Sequence, residues 1–409
     1  MPPAPTTDLP EPRLKNPARL PLRALLALFA TAFGAVMTEL LPAGLLPRMS
    51  DGLHVPEARV GYLVTAYAAA SFLAAVPLTA ALRGVRRRRV LIGGLLGFAL
   101  ANTVTAVSTC YPLTLTARLL AGAVGGTLWA MLAGYAARLA PPERRGRAIA
   151  VVLAGITVAL ALGLPAGTAL AGAVGWRTVF ALLAALALAL VPWSLAHLPD
   201  APGESATGRA PLRRIAAIPG IPATLAVTLL LLLGHQALYT YLVPFAAHGG
   251  HGGAGRLLLL FGLATVAGVW LGGALVDRRP RLVLLAALAL IAGAMLALGL
   301  SGGAPAVTGT AVALWGAAFG AAPTLLQTAL VDLSGPRHAD VATALQATVY
   351  NLGIAAGSLT GGIALDTAGA GALPWTALPL VTAALAVVTL TRRHAFPTRR
   401  ATDAATPAA

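Results

Sequence analysis

A single cysteine, Cys110, stands among 409 residues, which excludes an intramolecular disulfide and any cysteine-based metal cluster. Charge is nearly as scarce. Only 10% of the residues are Asp, Glu, Lys or Arg, against about a quarter in an ordinary soluble domain. So few charges cannot coat two or three globular domains, which excludes a soluble multidomain enzyme and a disordered chain alike. Lysine is almost missing: Lys15 is the only one among 29 basic residues, the mark of codon bias in a GC-rich genome. There is no Gly-x-x-x-x-Gly-Lys loop to cradle phosphates, no His/Cys/Asp group at metal-ligand spacing and no Ser/His/Asp arrangement. Neither direct ATP coupling, nor a resident cofactor or metal, nor enzymatic turnover is expected. What is present is 58% hydrophobic residues with 45 glycines and 30 prolines, the composition of a membrane protein.

A membrane-spanning helix needs about 20 mainly apolar residues because its backbone polar groups must be paired internally. Apolar runs between charged or Pro/Gly breaks give twelve spans, at 23–46, 60–82, 90–108, 112–137, 148–171, 176–196, 221–245, 257–276, 282–301, 306–331, 341–365 and 374–391. The expected fold is therefore all-α and integral to the membrane. The first run resembles a signal peptide only in position; its length, Glu39 and Pro42 mark it as a retained helix.

The net charge of +16 would suit a nucleic-acid partner if it were clustered on one face, but it is divided among loops. Arg13, Lys15, Arg19 and Arg23 precede span 1; Arg83 and 86–89 follow span 2; Arg138, Arg144, Arg145 and Arg147 follow span 4. Further arginines follow spans 6, 8 and 10 and fill the C-terminal tail. The opposite loops carry only Arg48, Arg59, Arg177 and Arg256. By the positive-inside rule the basic side is cytoplasmic and holds both termini. No nucleic-acid partner is expected.

The longest polar stretch between spans, rich in Pro, Gly and Ser, joins two six-helix halves. The expected organisation is a cytoplasmic tail over 1–21, a first bundle over 22–196, a linker over 197–220, a second bundle over 221–392 and a tail over 393–409. A shift of 194 residues lays Gly122 on Gly316, Gly126 on Gly320, Pro142 on Pro336, Gly163 on Gly357, Gly167 on Gly361 and Arg87 on Arg281. A shift of 197 brings Leu46-Pro47 onto Val243-Pro244 and Glu39 onto Gln236. Parallel six-helix repeats of this kind describe the major facilitator architecture.

Several segments carry a family resemblance: Thr38-Glu39-Leu40-Leu41-Pro42 through Pro47 in span 1; Arg118-Leu119-Leu120-Ala121-Gly122 in span 4; Gly155 with Gly163-Leu164-Pro165-Ala166-Gly167 in span 5; Gly175-Trp176-Arg177; and Tyr239-Thr240-Tyr241. In their order and placement the chain resembles the major facilitator superfamily, and within it the twelve-span drug:proton antiporters that include bacterial chloramphenicol, sugar and purine exporters. The resemblance implies a monomer in the bacterial plasma membrane that exports a drug-like, sugar-like or nucleoside-like molecule in exchange for protons, with multidrug resistance among the family's roles. A proton-coupled importer or uniporter, or a non-transporting sensor, is the alternative. The family's loop between spans 2 and 3 carries an Asp; here 82–89 has none, whereas the loop after span 8 keeps Asp277, followed by Arg278. Gating is therefore expected at Asp277 and Arg278.

Ionisable groups inside a membrane are expensive and mark functional sites. Glu39 lies 16 residues past Arg23, about 24 Å along a helix, and desolvation disfavours a carboxylate, which suits a group that binds and releases a proton. Arg118 stays protonated and needs an acceptor: Glu39, a freed carbonyl or water. His235 titrates near neutrality when exposed and is a candidate relay, though packing is the commoner role. Trp129, Gln236, Tyr239, Tyr241, Gln346, Tyr350 and Asn351 are the candidates for a substrate cavity, mostly apolar with a few polar groups; the amides can equally be interhelical glue. Gly155, Gly163 and Gly167 should allow close packing where the halves meet, with Pro165 loosening its helix.

Overall fold

The computed structural model describes residues 20–82, 84–141, 144–200, 215–249, 254–275, 279–301, 304–335 and 338–391. The chain runs α1 (Leu22–Gly44), α2 (Leu46–Leu53), α3 (Glu57–Ala81), α4 (Arg87–Val107), α5 (Tyr111–Arg138), α6 (Arg145–Val158), a π segment (Ala159–Gly163), α7 (Leu164–Val174) and α8 (Trp176–His197). It continues as α9 (Ile221–Tyr239), α10 (Leu242–His248), α11 (Ala254–Leu275), α12 (Pro280–Leu300), α13 (Pro305–Ser334), α14 (Ala339–Ala368), a 3-10 turn (Ala370–Ala372) and α15 (Leu373–Leu390).

Among the described residues, eleven helical stretches are long and apolar enough to cross a membrane. The expected eleventh span, α14, is not one of them. It is long, at 30 residues, but Gln346, Asn351, Ser358 and its threonines and glycines dilute its hydropathy. The membrane-facing surface is plain elsewhere: Leu22, Leu73, Leu100, Leu271 and Leu390 are exposed, a burden in water and ordinary in lipid. Trp193 and Trp270 lie exposed toward the arginine-rich end and Trp375 toward the far end, as an interfacial aromatic belt requires.

Prolines start many of these helices, since a first-turn N–H has no intrahelical acceptor and its absence costs nothing. Pro112, Pro222, Pro280, Pro305 and Pro374 all hold such positions. Gly335 and Gly369, with φ of 70° and 77°, end α13 and α14 in a conformation that glycine adopts without penalty. Spans 1 and 7 break at matching places, between α1 and α2 and between α9 and α10. Pro47 and Pro244 cannot donate to the carbonyls of Ala43 and Thr240, so neither span continues as one regular helix.

The helices fall into two sets, α1–α8 and α9–α15, each packed mainly on itself. The repeat is visible in the contacts. Gly122 sits against the Tyr67 carbonyl and Gly316 against the Phe261 carbonyl; Gly126 sits against that of Ser71 and Gly320 against that of Thr265. Both partners of each pair are 194 residues apart, so equivalent glycines let equivalent helices approach. The sets meet through α3 with α14 and through the π segment and α7 with α11. Among the described residues, the glycines at which a new Cβ would touch the opposite set are Gly262, near the middle of α11, and Gly44, Gly61 and Gly362, toward the far end. One hydrophobic core joins both sets there, while another belongs to the first set alone at the arginine-rich end.

Candidate functional site

The site grows from one face of α5. Arg118, Gly122, Gly125 and Gly126 recur at helical spacing. Gly122 and Gly125 leave room for the backbone and the hydroxyl of Tyr67. Tyr67 then lies beneath the guanidinium of Arg118, whose carbon stands 4.9 Å from the ring centroid, a cation–π arrangement. Arg118 is fully buried. Its Nη2 donates to the backbone carbonyl of Glu39 at 3.0 Å, while Nε, Nη1 and the Tyr67 hydroxyl have no partner among the described residues. Of the acceptors expected for Arg118, the one observed is thus a carbonyl. The Glu39 side chain is 7% exposed and within electrostatic reach of Arg118, Tyr67 and Tyr350.

Pro42 has no N–H for the Thr38 carbonyl, so α1 is weakened one turn from Glu39. Asn102 steadies the same turn from α4 by donating from Nδ2 to Thr38 Oγ1 at 3.0 Å. Tyr350, half-buried on α14 of the second set, lies within electrostatic reach of Glu39. The arrangement can hold a proton on an acid, offer a fixed cation to its conjugate base, and report that exchange to the other set.

His235 lies elsewhere. It stacks on Phe319 at 3.6 Å between centroids, with Tyr239 at 5.0 Å, Trp315 at 5.3 Å and Phe261 at 5.7 Å. No acidic or basic side chain contacts it among the described residues, and its Nδ1 has no partner there. Tyr239 belongs to this buried aromatic group. Gln236 and Gln346 are buried, and Gln236 lies against Gly357. Tyr241 is fully buried at the far end, where its hydroxyl donates to the Ser358 carbonyl at 2.8 Å. Trp129 and Asn351 are half-buried, and Asn351 Nδ2 donates to the Ala347 carbonyl at 3.0 Å. Tyr239, Tyr241 and Asn351 thus have different immediate surroundings. A cavity of about 420 Å³ does open at the far end, lined by Gly44, Pro47, Arg48, Thr168, Ala169, Val243 and Gly255, away from Glu39.

Gly155, Gly163 and Gly167 face α1, against Phe29, Met37 and Leu41, rather than the second set. The surface turned toward the second set carries Leu160 and Ala161, which meet Gly262 of α11. The π segment just before Pro165 decides this partition, because Pro165 cannot donate to the Ala161 carbonyl and Leu164 bonds Ala159 instead.

Asp277 and Arg278 lie outside the described residues. The acid-free loop after α3 is nevertheless anchored. Arg86 pairs with Asp200 at 2.8 Å, Arg88 donates to the carbonyls of Leu195 and Leu198, and the Tyr135 hydroxyl donates to that of Pro199. Nothing in the sequence signals a pairing across 114 positions.

Residues 25–358 match the family model described as Major Facilitator Superfamily. The chain is 30% identical to a probable sugar efflux transporter of Mannheimia succiniciproducens over 83% of its own length and 86% of the relative's. It is equally 30% identical to the purine ribonucleoside efflux pump NepI of Escherichia coli strain K12, over 84% and 88%. Among solved structures, a bacterial homologue of the human lysosomal transporter Spinster, titled inward-facing and occupied, superimposes with a TM-score of 0.73 at 16% identity, over 94% of this chain and 98% of that one. The human organic anion transporter MFSD10 gives 0.67 at 19% identity, over 90% and 99%. At such identities the two structures speak for the fold alone.

Proposed function

The chain belongs to the major facilitator superfamily, and from that premise we propose that it exports a small molecule from the cytoplasm by proton antiport with alternating access. In this reading α14 also crosses and brings the spans to twelve, the arginine-rich end with both termini is cytoplasmic, and the protein works as a monomer in a bacterial plasma membrane. The efflux relatives support a sugar-like or nucleoside-like substrate, with drug-like amphiphiles next.

The buried group of Glu39, Arg118 and Tyr67 carries the proposal. An uncompensated carboxylate in the membrane interior is costly, so Glu39 without its proton turns to the unpartnered Nε and Nη1 of Arg118. Protonated, it is released toward Tyr350. Differential pairing of this kind biases one arrangement of the two sets over the other. Trp129, Tyr350 and Asn351 are the side chains assigned to substrate, and Gln236, Tyr239, Tyr241 and Gln346 to the walls behind them. His235, closed in by aromatic rings, packs rather than relays.

The test is export from proteoliposomes under an imposed pH gradient, preceded by counterflow with sugars, nucleosides and amphiphilic drugs to find a substrate. Glu39→Gln should abolish gradient-driven export while counterflow persists. Active efflux at the wild-type rate in that variant removes Glu39 from the mechanism.

A further inference from the structure

The breaks in spans 1 and 7 leave a space between the sets. Pro47 of the first set and Val243 of the second both line the cavity of about 420 Å³. Its other walls include Gly44, Ala169 and Gly255, too small to fill the gap. The one hydroxyl among them, on Thr168, donates to the Leu164 carbonyl of its own helix at 2.9 Å. These walls offer water and polar solutes little to bond, and an apolar cavity takes apolar matter or stays dry. The cavity lies between α7 and α11, beside Leu170 and Val174 on the one and Leu259 and Leu263 on the other, all exposed. Positive charge gathers at the same place. Of the four arginines at the far end, Arg177 is engaged by the Trp176 ring and the carbonyls of Gly52 and Ser108. Arg48 and Arg256 are exposed, and neither makes a hydrogen bond or an ion pair with a described residue. Arg48 lines the cavity, with its guanidinium over Gly172 of α7, where an added Cβ would stand 3.0 Å from Nη2. Arg256 follows the lining residue Gly255 in the first turn of α11. No carboxylate lines the cavity.

We infer that this cavity binds an anionic phospholipid from the leaflet at the far end. An acyl chain fills the apolar space, and the phosphate meets Arg48 and Arg256, whose planar guanidiniums match phosphate oxygens. Basic pockets between membrane helices capture acidic headgroups in this way. A sugar or nucleoside would find a cation there but no set of hydrogen-bond partners. A zwitterionic lipid would bring a cation of its own to two arginines with no acid beside them. Such a site needs neither proton coupling nor alternating access, and it stands or falls separately from the export reading. Because both sets supply walls, a bound lipid favours the arrangement that brings those walls together.

The probe is phosphatidylglycerol carrying a diazirine in one acyl chain, mixed into nanodiscs that hold the full chain, then photolysed and mapped by peptide mass spectrometry. Adducts should fall on α7 around Ala169 and on the start of α11, several-fold above those from the matching phosphatidylcholine probe. Arg48→Gln combined with Arg256→Gln should lower them several-fold. Gly255→Leu should do the same, because an added Cβ there meets nothing within 4 Å and the new side chain takes the space of the lipid chain. Arg89→Gln, exposed at the opposite end, should leave these adducts unchanged, which separates the site from the general attraction of anionic lipid to the arginine-rich face. Should one variant fold poorly, the other decides, since headgroup and chain are tested apart. Equal labelling of these walls by both probes, or undiminished labelling in a folded arginine or leucine variant, would mean ordinary surrounding lipid and overturn the site. Absence of adducts from these walls would overturn it as well.

Discussion

Arg118 shows how little of a buried charge's role can be exchanged for another cation. Its guanidinium does two things at once, lying over Tyr67 and donating to the Glu39 carbonyl, with two nitrogens still unpartnered. A lysine offers one point charge on a flexible stem and no planar face. Arg118→Lys should therefore reduce gradient-driven export at least about tenfold, the order of one lost charge-assisted bond of about 1.5–3 kcal/mol, as measured in the same proteoliposomes as Glu39→Gln. Arg86 is the contrasting case. Its pair with Asp200 is short, but the Arg86 side chain is 61% exposed, and exposed pairs contribute about 0–1 kcal/mol. Asp200→Ala should shift thermal stability by less than about 1 kcal/mol and leave the melting temperature nearly unmoved. Gly122 stands apart from both, because an added methyl has only the Tyr67 backbone to displace. Gly122→Ala should cost about 1–3 kcal/mol, the range for overpacking a filled interior, and lower the melting temperature in detergent.

Elements show where reading the sequence succeeds and where it stops. The 194-residue repeat was legible because most of its glycines, Gly122, Gly126, Gly316 and Gly320 above all, answer to a neighbouring backbone, and such slots tolerate no side chain. The span-5 glycines were legible as packing residues, but the partner they face was not. In a regular helix Gly155 and Gly163, eight residues apart, differ by about 80° at 100° per residue. The π segment takes up one extra residue, which brings the difference to about −20° and puts both on the α1 face with Gly167. A hydrogen bond rerouted around Pro165 leaves no trace in composition or periodicity beyond the proline itself. Deleting Leu162, exposed within the π segment, should therefore restore a continuous helix with all three glycines still facing α1. Deleting Leu153 in regular α6 should instead turn the buried Ala148 and Val152 by about 100° relative to the three glycines. The first variant should stay monodisperse by size-exclusion chromatography and lose little melting temperature, whereas the second should aggregate.

For the whole molecule the question is the parity of the spans. α14 falls below the hydropathy expected of a span because of where it lies. It packs along α9 on one side and α3 on the other, between the sets, and leaves Leu352, Leu359 and Ile363 exposed on its outer face. Gln346, Ser358 and the glycine series Gly353, Gly357 and Gly361 all face protein there. Polar groups in a membrane are tolerated where other helices rather than hydrocarbon surround them. Low hydropathy is thus the signature of a central helix, and the charge pattern of the loops carries the evidence for its crossing. Arginines before α1 and after α15 belong to one side only if α14 is counted, since eleven crossings would put the two termini on opposite sides. Short epitope tags at the N- and C-terminus of the full chain turn this into a measurement. In right-side-out cells both tags should resist added protease, and in inverted vesicles both should be cleaved. One tag protected and the other cleaved in the same preparation would show that α14 does not cross, and would remove the pairing of halves on which the proposed proton site relies.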